Sequence, residues 1–288
     1  MDSEFYEEKI LPVDRYLMAA EKCISPCNTT IGTTTHINNN YRVGVDLGTA
    51  YLVLVVLDQN NQPIAGEYCY AEVVRDGVVV DYIGAIDLLK KMKSRVERHL
   101  DTILCHAASA FPPGIARAEV QSTANVLEAA GFICSGLIDE PSAANNVLDL
   151  QDGAVVDIGG GTTGIAIIKN GKVVYSADEP TGGTHFSLVI AGALGISFEE
   201  AEELKKDAAE QKRLFPTVRP VMEKVGNIIT RHVDGKDVDR LTLVGGSSIF
   251  PGIADVIQEY TTLPTHVPSR PLFVTPLGIA LHDQYLDR

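Results

Sequence analysis

The stretch AVVDIGGGTTG at residues 154–164 repeats the pattern of RVGVDLGTA at residues 42–50, with its aspartate 111 positions later, at 157 instead of 46. Each copy indicates a strand that ends in aspartate, a turn of glycine and threonine, and a second strand. Glycine has no Cβ and tolerates positive φ, so the N–H groups of such a turn can approach a phosphate closely, while the aspartate can hold a metal ion's waters. The repeat therefore predicts two facing turns that clamp the phosphates of a nucleotide.

Predicted strands and helices follow the two copies in a similar order. In the first half, apolar spacing predicts strands at 42–46, 51–57, 64–73, 78–82, 103–110 and 132–138, and helices at 85–100, 115–130 and 141–150. In the second half it predicts strands at 153–158, 163–169, 172–178, 240–244 and 264–267, and helices at 183–194, 198–213, 217–233, 250–260 and 276–284. Such an order is typical of mixed sheets that carry helices. We therefore expect an α/β fold with two similar lobes.

The same pattern divides the chain into an amino-terminal helix and flexible tether at 1–40, a first lobe at 41–150 and a second lobe at 151–273. The carboxy-terminal helix, 274–288, is assigned to the first lobe. Residues 10–23 have mostly helical apolar spacing, whereas 28–40 are rich in Thr and Asn and have little to bury. Two interpretations of the amino-terminal helix stay open. It docks into a partner's groove, or it packs on its own lobe, since short isolated helices are marginal in water.

Charge and composition exclude several classes of partner. The 288 residues carry a formal net charge of −14, from 38 acidic against 24 basic residues. Nucleic-acid affinity comes chiefly from Lys and Arg, so this balance argues against such a partner. The acidic start lacks the features of an export signal, and the longest apolar run, 51–57, is far shorter than the ~20 residues of a membrane span. We expect a cytoplasmic protein with no membrane partner and with reduced cysteines.

The glycine motifs have competing interpretations. Taken alone, the first turn is more typical of an ordinary hairpin than of a phosphate site. Residues 159–164 also fit the GxGxxG pattern of dinucleotide sites, but that mechanism requires a helix to begin at the motif. The apolar residues 165–168 continue instead as a strand, so the dinucleotide interpretation fails. Neither a P-loop nor a GxSxG nucleophile elbow occurs in the chain.

Two further motifs favour a nucleotide cleft. LTLVGGSSIFP at 241–251 indicates a strand, a small-residue turn and a helix start, which suits the edge of a nucleoside lying against backbone. DEPSAA at 139–144 places Pro141 at the first turn of a helix and Glu140 at the mouth of the predicted cleft. Small residues on this helix and on the last one, such as Ala143 and Gly278, predict that the two helices cross closely.

With all four motifs in this order, the chain from about residue 41 to its end resembles the actin, sugar-kinase and DnaK-chaperone ATPase superfamily, and within it the DnaK and MreB branch. The resemblance implies an actin-like ATPase fold, with two RNase H-like lobes and small insertions around a cleft for ATP and Mg²⁺. The implied catalytic residues are Glu140, which would orient or deprotonate the attacking water, Thr162, which would contact the terminal phosphate, and Asp46.

The same resemblance implies the other ligands of the nucleotide and its metal. Asp46 and Asp157 would bind Mg²⁺ through water. The residues implied around the nucleotide are Gly48, Thr49, Ala50, Gly159, Gly160, Gly161, Thr163, Gly183, Glu202, Lys205, Gly245, Gly246, Ser247 and Ile249.

Several positions leave alternatives open. Gly164 stands where DnaK chaperones carry a second acid, Ile249 stands where they carry an arginine that stacks on adenine, and their catalytic lysine has no match. We therefore expect nucleotide binding with slow hydrolysis, as in a weak Mg-dependent ATPase. Glu140 also suits a solvent-exposed residue at a helix start. For Glu202 and Lys205, a solvated ion pair on an amphipathic helix is the favoured interpretation.

At finer grain, VRDGVVVDYIG at 74–84, together with the compact length and the amino-terminal helix, resembles a branch of the superfamily that belongs with ethanolamine-utilisation and bacterial microcompartment operons. This resemblance implies a chaperone-like or assembly factor whose partners are ethanolamine-utilisation enzymes or shell proteins, in the cytoplasm or at a microcompartment. Two other functions stay open: a small-molecule phosphotransferase and an MreB-like filament-forming ATPase.

Overall fold

The computed structural model describes residues 11–27, 29, 40–75 and 78–285. The first half of the chain forms α1 (Pro12–Cys23), β1 (Ile24–Pro26), β2 (Arg42–Leu47), β3 (Tyr51–Leu57), β4 (Pro63–Tyr70), β5 (Val74–Arg75), β6 (Val78–Val79), α2 (Tyr82–Leu100), β7 (His106–Phe111), α3 (Arg117–Ala129), β8 (Ile133–Asp139) and α4 (Glu140–Leu148). Within the described ranges, no helix is both long and apolar enough to cross a membrane.

The second half of the chain follows with a comparable order of elements. It forms β9 (Asp152–Ile158), β10 (Thr163–Lys169), β11 (Lys172–Glu179), α5 (Gly183–Leu194), α6 (Phe198–Lys206), α7 (Ala208–Val233), β12 (Leu241–Val244), α8 (Ile253–Thr261), β13 (Thr265–His266) and α9 (Val274–Leu281). Short 3₁₀ helices lie at Gly246–Ile249 and Pro271–Phe273.

The first sheet has the strand order β1-β4-β3-β2-β7-β8. Strands β2, β3 and β4 run antiparallel, and β1, β7 and β8 join their neighbours in parallel. Successive side chains of a strand point to opposite faces, and here helices α2 and α3 cover one face while α1, α4 and α9 cover the other. Because both faces are covered, β3 is a continuous apolar run.

The second sheet has the strand order β11-β10-β9-β12-β13. A bulge between Ile167 and Ile168 shifts the pairing of β10 with β11 by one residue, so Gly164 lies opposite Asp178. Helices α5, α7 and α8 form a core with one face of this sheet. Its other face packs against α4 and α9, so these two helices lie between the two sheets.

Helices α4 and α9 cross at a contact that excludes any side chain on one partner. A Cβ added to Gly278 would lie 1.7 Å from the carbonyl oxygen of Ala143. On the other side of α9, a Cβ added to Gly44 of β2 would lie 2.6 Å from the amide nitrogen of Ala280. Only glycine permits approaches of this kind. The predicted close crossing of the two helices is confirmed.

The predicted break at 214–216 between two helices of the second lobe is wrong. Helices α6 and α7 instead meet at Asp207, which leaves the helical conformation and caps α7 by accepting a hydrogen bond from the N–H of Ala209. Pro216 and Pro220 lie inside α7, four residues apart on its exposed side. Long helices usually curve with their solvent-exposed side convex, and the backbone hydrogen bonds on that side are longer and weaker. A proline, which lacks the N–H group, is therefore tolerated best on that side.

The amino-terminal helix packs on its own lobe. Leu17 and Ala20 of α1 have no exposed surface, and they pack in one cluster with Ile24 and residues of the first sheet. Strand β1, which the sequence did not predict, then pairs in parallel with β4, with Ile24 opposite Gly66. The predicted tether at 28–40 lies outside the described residues, apart from residues 29 and 40.

Candidate functional site

The two glycine turns follow β2 and β9 and touch each other. A Cβ added to Gly160 would lie 2.5 Å from the Cβ of Ala50, and one added to Gly161 would lie 2.9 Å from Cγ2 of Thr49. Both distances are shorter than any that real Cβ atoms show, so the approach requires glycine at both positions. The predicted facing of the two turns is confirmed.

A third turn, at the start of α5, orients the second one. The N–H groups of Gly183 and Thr184 donate to the carbonyl oxygens of Gly159 and Gly160, at 2.9 and 2.7 Å. In a trans peptide the C=O and the following N–H point in opposite directions. The N–H groups of Gly160 and Gly161 therefore point away from α5.

The turn after β12 completes the wall of the second lobe. Gly245 has a φ of 86°, and a Cβ there would lie 2.2 Å from Oδ1 of Asp157, so this turn also requires glycine. The hydroxyl of Ser247 donates to the carbonyl oxygen of Gly159 at 2.8 Å. The phosphate turn and the turn predicted for the nucleoside are thus directly joined.

Two aspartates end the strands that lead into the facing turns. Burial, and then the charge of Asp157, raise the pKa of Asp46 to about 7. Burial also raises the pKa of Asp157, although the hydroxyl of Thr275 donates to its Oδ2 at 2.9 Å and opposes that rise. Two carboxylates so placed repel each other, and a proton or a cation relieves the repulsion.

Glu140, the first residue of α4, faces the same group of charges. Burial raises its pKa well above the usual value, and the charges of Asp46, Asp157, Asp178 and Asp139 raise it further, in that order. Glu140 also lines the cleft. It is therefore not the simple solvent-exposed residue that the alternative interpretation describes.

These donors fit a cation that keeps its water shell. In the part of the chain that the structure describes, no three His, Cys, Asp or Glu side chains come close enough together to hold a metal ion directly. Mg²⁺ dehydrates reluctantly and is usually held by one or two carboxylates together with several waters and phosphate oxygens. The paired Asp46 and Asp157 suit this mode of binding.

Most of the predicted site residues line one cavity of about 420 Å³ between the sheets. Those that line it are Asp46, Gly48, Thr49, Ala50, Glu140, Asp157, Gly159, Gly160, Thr162, Glu202, Lys205, Gly245, Gly246, Ser247 and Ile249.

Three predicted residues are not among those that line the cavity. Gly161 and Gly183 pack against neighbouring turns instead, as the contacts with Thr49 and with the carbonyl of Gly159 show. Thr163 is fully buried, and its hydroxyl donates to the carbonyl oxygen of Thr181 at 2.6 Å. The Thr163 side chain is turned into the lobe because Thr162 and Thr163 are neighbours at a strand start, where successive side chains alternate in direction.

The interpretation of Glu202 and Lys205 as a solvated pair is wrong. Glu202 is only 7% exposed, and it accepts from Lys205 at 2.6 Å and from the hydroxyl of Ser187. Burial opposes ionisation of Glu202, but the charge and hydrogen bond of Lys205 and the bond from Ser187 outweigh it and keep its pKa low. Burial lowers the pKa of Lys205 despite its partner. The pair is built into the wall where a nucleoside would lie.

Several residues of the site were missed from the sequence. Lys206, the neighbour of Lys205, lies across the cleft, with Nζ 4.6 Å from the ring centre of Tyr70 and 6.0 Å from that of Tyr51. Thr275 of α9 donates to Asp157, and the charge of Asp178 of β11 helps to raise the pKa of Glu140. Tyr51 could have been predicted as a site residue because it directly follows the first turn. Its contact with Lys206 could not, because no sequence pattern indicates which residues of opposite lobes meet.

Two family models match the chain. One, described as MreB/Mbl protein, matches residues 69–214, and the other, described as Cell division protein FtsA, matches residues 154–278. The crystal structure of MreB5 of Spiroplasma citri bound to AMPPNP matches with a TM-score of 0.70 at 18% identity, and covers 87% of this chain and 98% of that one. At that identity the likeness concerns the fold.

A nearer likeness joins the chain to one group of relatives. Ethanolamine utilization protein EutJ of Escherichia coli (strain K12) is 44% identical over 255 residues, which cover 88% of this chain and 89% of that protein. The crystal structure of EutJ from Carboxydothermus hydrogenoformans has a TM-score of 0.87 at 44% identity, and covers 93% of this chain and 97% of that one. The chain therefore belongs to the EutJ family of ethanolamine utilization proteins and has the actin-like ATPase fold.

Proposed function

We propose that this protein binds Mg-ATP and Mg-ADP in the cleft, hydrolyses ATP slowly, and acts as a chaperone-like or assembly factor for ethanolamine-utilisation enzymes or shell proteins. The observation that carries the proposal is the contact between the two glycine turns, which leaves no room for a side chain at Gly160 or Gly161. Backbone crowded to this degree beside carboxylates suits a phosphate chain and its cation. MreB5, which shares the fold, was crystallised with AMPPNP.

Each polar residue of the cleft has a role in this proposal. Asp46 and Asp157 hold the waters of Mg²⁺, which supplies positive charge to the phosphates. Thr162 contacts the terminal phosphate from the second turn. Glu140 orients or deprotonates the attacking water, and the burial that raises its pKa makes its ionised form a stronger base than an ordinary carboxylate.

Slow turnover follows from what faces the nucleoside. Ile249 lines the cavity with half of its side chain exposed, so it offers adenine an apolar contact without a cation. The buried pair of Glu202 and Lys205 offers hydrogen bonds to the nucleoside instead. Contacts to the nucleoside stabilise the ground state and the transition state equally. They therefore strengthen ATP binding without raising the rate of hydrolysis.

The proposed action on a partner uses the two lobes as a hinge. We take residues 41–150 with the final helix as one lobe and 151–273 as the other. Helices α4 and α9 lie between the two sheets and would slide when the lobes close. A partner that binds one arrangement better than the other then responds to the nucleotide. The name shared by the EutJ relatives points to partners from ethanolamine utilisation, in the cytoplasm or at a microcompartment.

Calorimetry and thermal melting test nucleotide binding. Wild type should give binding heat and a raised melting temperature with Mg-ADP and Mg-ATP, and Asp157→Ala should lose both. Asp87→Ala, on the exposed side of α2, is the matched control. No heat and no stabilisation with wild type, or an Asp157→Ala variant that behaves like wild type, would overturn the proposal.

The partner is tested by pull-down of ethanolamine-utilisation enzymes and shell proteins, with and without nucleotide. Co-purification that changes between ATP, ADP and no nucleotide is expected, and co-purification that ignores the nucleotide contradicts the switch. The match of residues 69–214 to the MreB/Mbl model favours filament formation as a second candidate. Light scattering that rises with ATP, without any partner, would select it.

A further inference from the structure

We infer that Asp178 of β11 holds the waters of the cleft's divalent cation together with Asp157, in the place that Gly164 leaves open between them. The inference rests on the proposed function, because it assigns one more residue to the same cation. No motif in the sequence marks Asp178.

The register of three strands puts the two acids in one row. Gly164 of β10 lies opposite Asp157 of β9 on one side and opposite Asp178 of β11 on the other. Residues directly opposite each other in a sheet present their side chains on the same face. Asp157 and Asp178 therefore project from the same face of the sheet, with a residue that has no side chain between them.

Gly164 leaves a gap that both acids border. A Cβ built on Gly164 would lie 3.7 Å from Oδ1 of Asp178 and 3.9 Å from the Cβ of Asp157. Both distances are ordinary van der Waals contacts, so a Cβ at residue 164 would touch both acids without crowding them. Gly164 lines the cavity, so this space is continuous with the cleft. Asp178, whose carboxylate borders this gap, can therefore hold the cation's waters as an acid at residue 164 itself would.

The charge of Asp178 reaches the site. It is one of the charges that raise the pKa of Glu140, together with those of Asp46 and Asp157. Repulsion among neighbouring carboxylates of this kind favours a positive charge between them. Mg²⁺ bound through water fits the spacing, since the ion carries its own shell of waters as hydrogen-bond donors to carboxylates.

The experiment measures the effect of the metal on nucleotide binding. ADP affinity is determined by calorimetry in EDTA and in Mg²⁺, and Mn²⁺ bound to the ADP complex is counted by electron paramagnetic resonance. In Asp178→Asn we expect ADP affinity in EDTA to stay as in wild type, and metal affinity of the ADP complex to fall about 10-fold or more. Asp87→Asn, an exposed acid of the first lobe, should leave both unchanged.

A second variant moves the carboxylate from Asp178 to Gly164, the residue opposite it on β10. Gly164 has no positive φ, and a Cβ added there would make only ordinary van der Waals contacts, so we place the aspartate at this position. In the double variant Asp178→Asn with Gly164→Asp, most of the lost metal affinity should return. This recovery distinguishes a carboxylate that serves the cation from one that only supports the hairpin, because a structural role of Asp178 would not be restored from β10.

The outcomes separate the two proposals. Wild type that binds no ADP in either condition overturns the proposed function. If wild type binds ADP and Mn²⁺, and a folded Asp178→Asn has the same metal affinity in its ADP complex, only this inference is overturned. If Asp178→Asn does not fold, the single variant Gly164→Asp must raise metal affinity above wild type, and an unchanged affinity overturns the inference.

Discussion

At the scale of single residues, the main feature of the cleft is a group of carboxyl groups whose ionisation is disfavoured. Burial raises the pKa of Asp46, Asp157 and Glu140, and the charges of neighbouring carboxylates raise those of Asp46 and Glu140 further. A proton and a cation relieve the same repulsion. Without a cation, the stability of the folded protein must therefore depend on pH.

The first prediction concerns that dependence in EDTA. The folded-state pKa of Asp46, about 7, lies above its ordinary value of about 4. The folded state thus holds the proton more tightly, so its stabilisation is complete below about pH 4 and is lost as the pH rises to about 7. Asp46→Asn removes this loss and should be more stable than wild type at pH 8, on the order of 1–3 kcal/mol. Urea unfolding between pH 5 and 8 measures it, and parallel profiles for the two proteins would contradict it.

The second prediction concerns two glycines near α5. A Cβ at Gly182 would lie 2.8 Å from three backbone atoms of the second turn, whereas one at Gly192 would meet no heavy atom within 4 Å. We expect Gly182→Ala to cost about 1–3 kcal/mol and to abolish stabilisation by ADP. Gly192→Ala, inside the helix, should add about 0.5–1 kcal/mol. Thermal melts with and without ADP compare them, and equal effects of both changes would refute the role of the crowded turn.

At the scale of elements, prediction from sequence succeeded where local signals were strong. Helix α5 was predicted with its observed bounds, because Gly182 and Gly195 mark its two ends. Strand β10 was predicted with its observed bounds as well, since its apolar run ends at the Asn170-Gly171 turn. Both elements are defined by residues within or beside them.

The failures have a different physical origin. In an unbulged hairpin closed at Asn170-Gly171, Gly164 would lie opposite Ala177, and Asp178 would point to the other face. Only the bulge at Ile167 turns Asp178 toward the cleft, and no residue type marks it. Similarly, strand β1 exists because β4 is available to pair with it. Features that depend on a partner strand leave little local trace in the sequence.

The third prediction tests the place of α1 in the fold. Leu17 has no exposed surface, whereas its neighbour Met18 is 41% exposed. Leu17→Ala should therefore cost about 2–5 kcal/mol, and Met18→Ala should cost far less. Chemical denaturation of the full chain measures both changes. If both substitutions lower the free energy of unfolding only slightly, α1 contributes little to the core. That result would favour the interpretation in which the helix docks into a partner's groove.

At the scale of the whole molecule, further contacts join the lobes besides the facing glycine turns. Helices α4 and α9 form the floor between the two sheets, and Lys206 reaches from α6 to the rings of Tyr51 and Tyr70 above the cavity. The floor requires glycine at residue 278, because α4 and α9 touch there through their backbones. The upper contact is a cation–π interaction between flexible or exposed side chains, so it can open and close at small cost.

The fourth prediction concerns release of the nucleotide. Loss of a cation–π contact is worth about 0.5–1 kcal/mol at an exposed site, which corresponds to a few-fold change in a rate or equilibrium. Lys206→Met should therefore speed ADP dissociation by about 2- to 5-fold, as measured by stopped-flow with a fluorescent ADP analogue. Lys212→Met, an exposed lysine of α7, is the control. Equal dissociation rates for the two variants would show that the contact does not hold the cleft closed.

Helix α6 carries two consecutive lysines with different contacts, since Lys205 donates to Glu202 in the cavity wall and Lys206 touches the opposite lobe. One short helix therefore contacts both the wall of the cavity and the opposite lobe. Linkage makes such an arrangement reciprocal. If the cleft binds a nucleotide as proposed and this contact holds it closed, a partner that separates Tyr70 from Lys206 weakens nucleotide binding by the same factor by which the nucleotide weakens that partner. Such a partner would act as a nucleotide exchange factor.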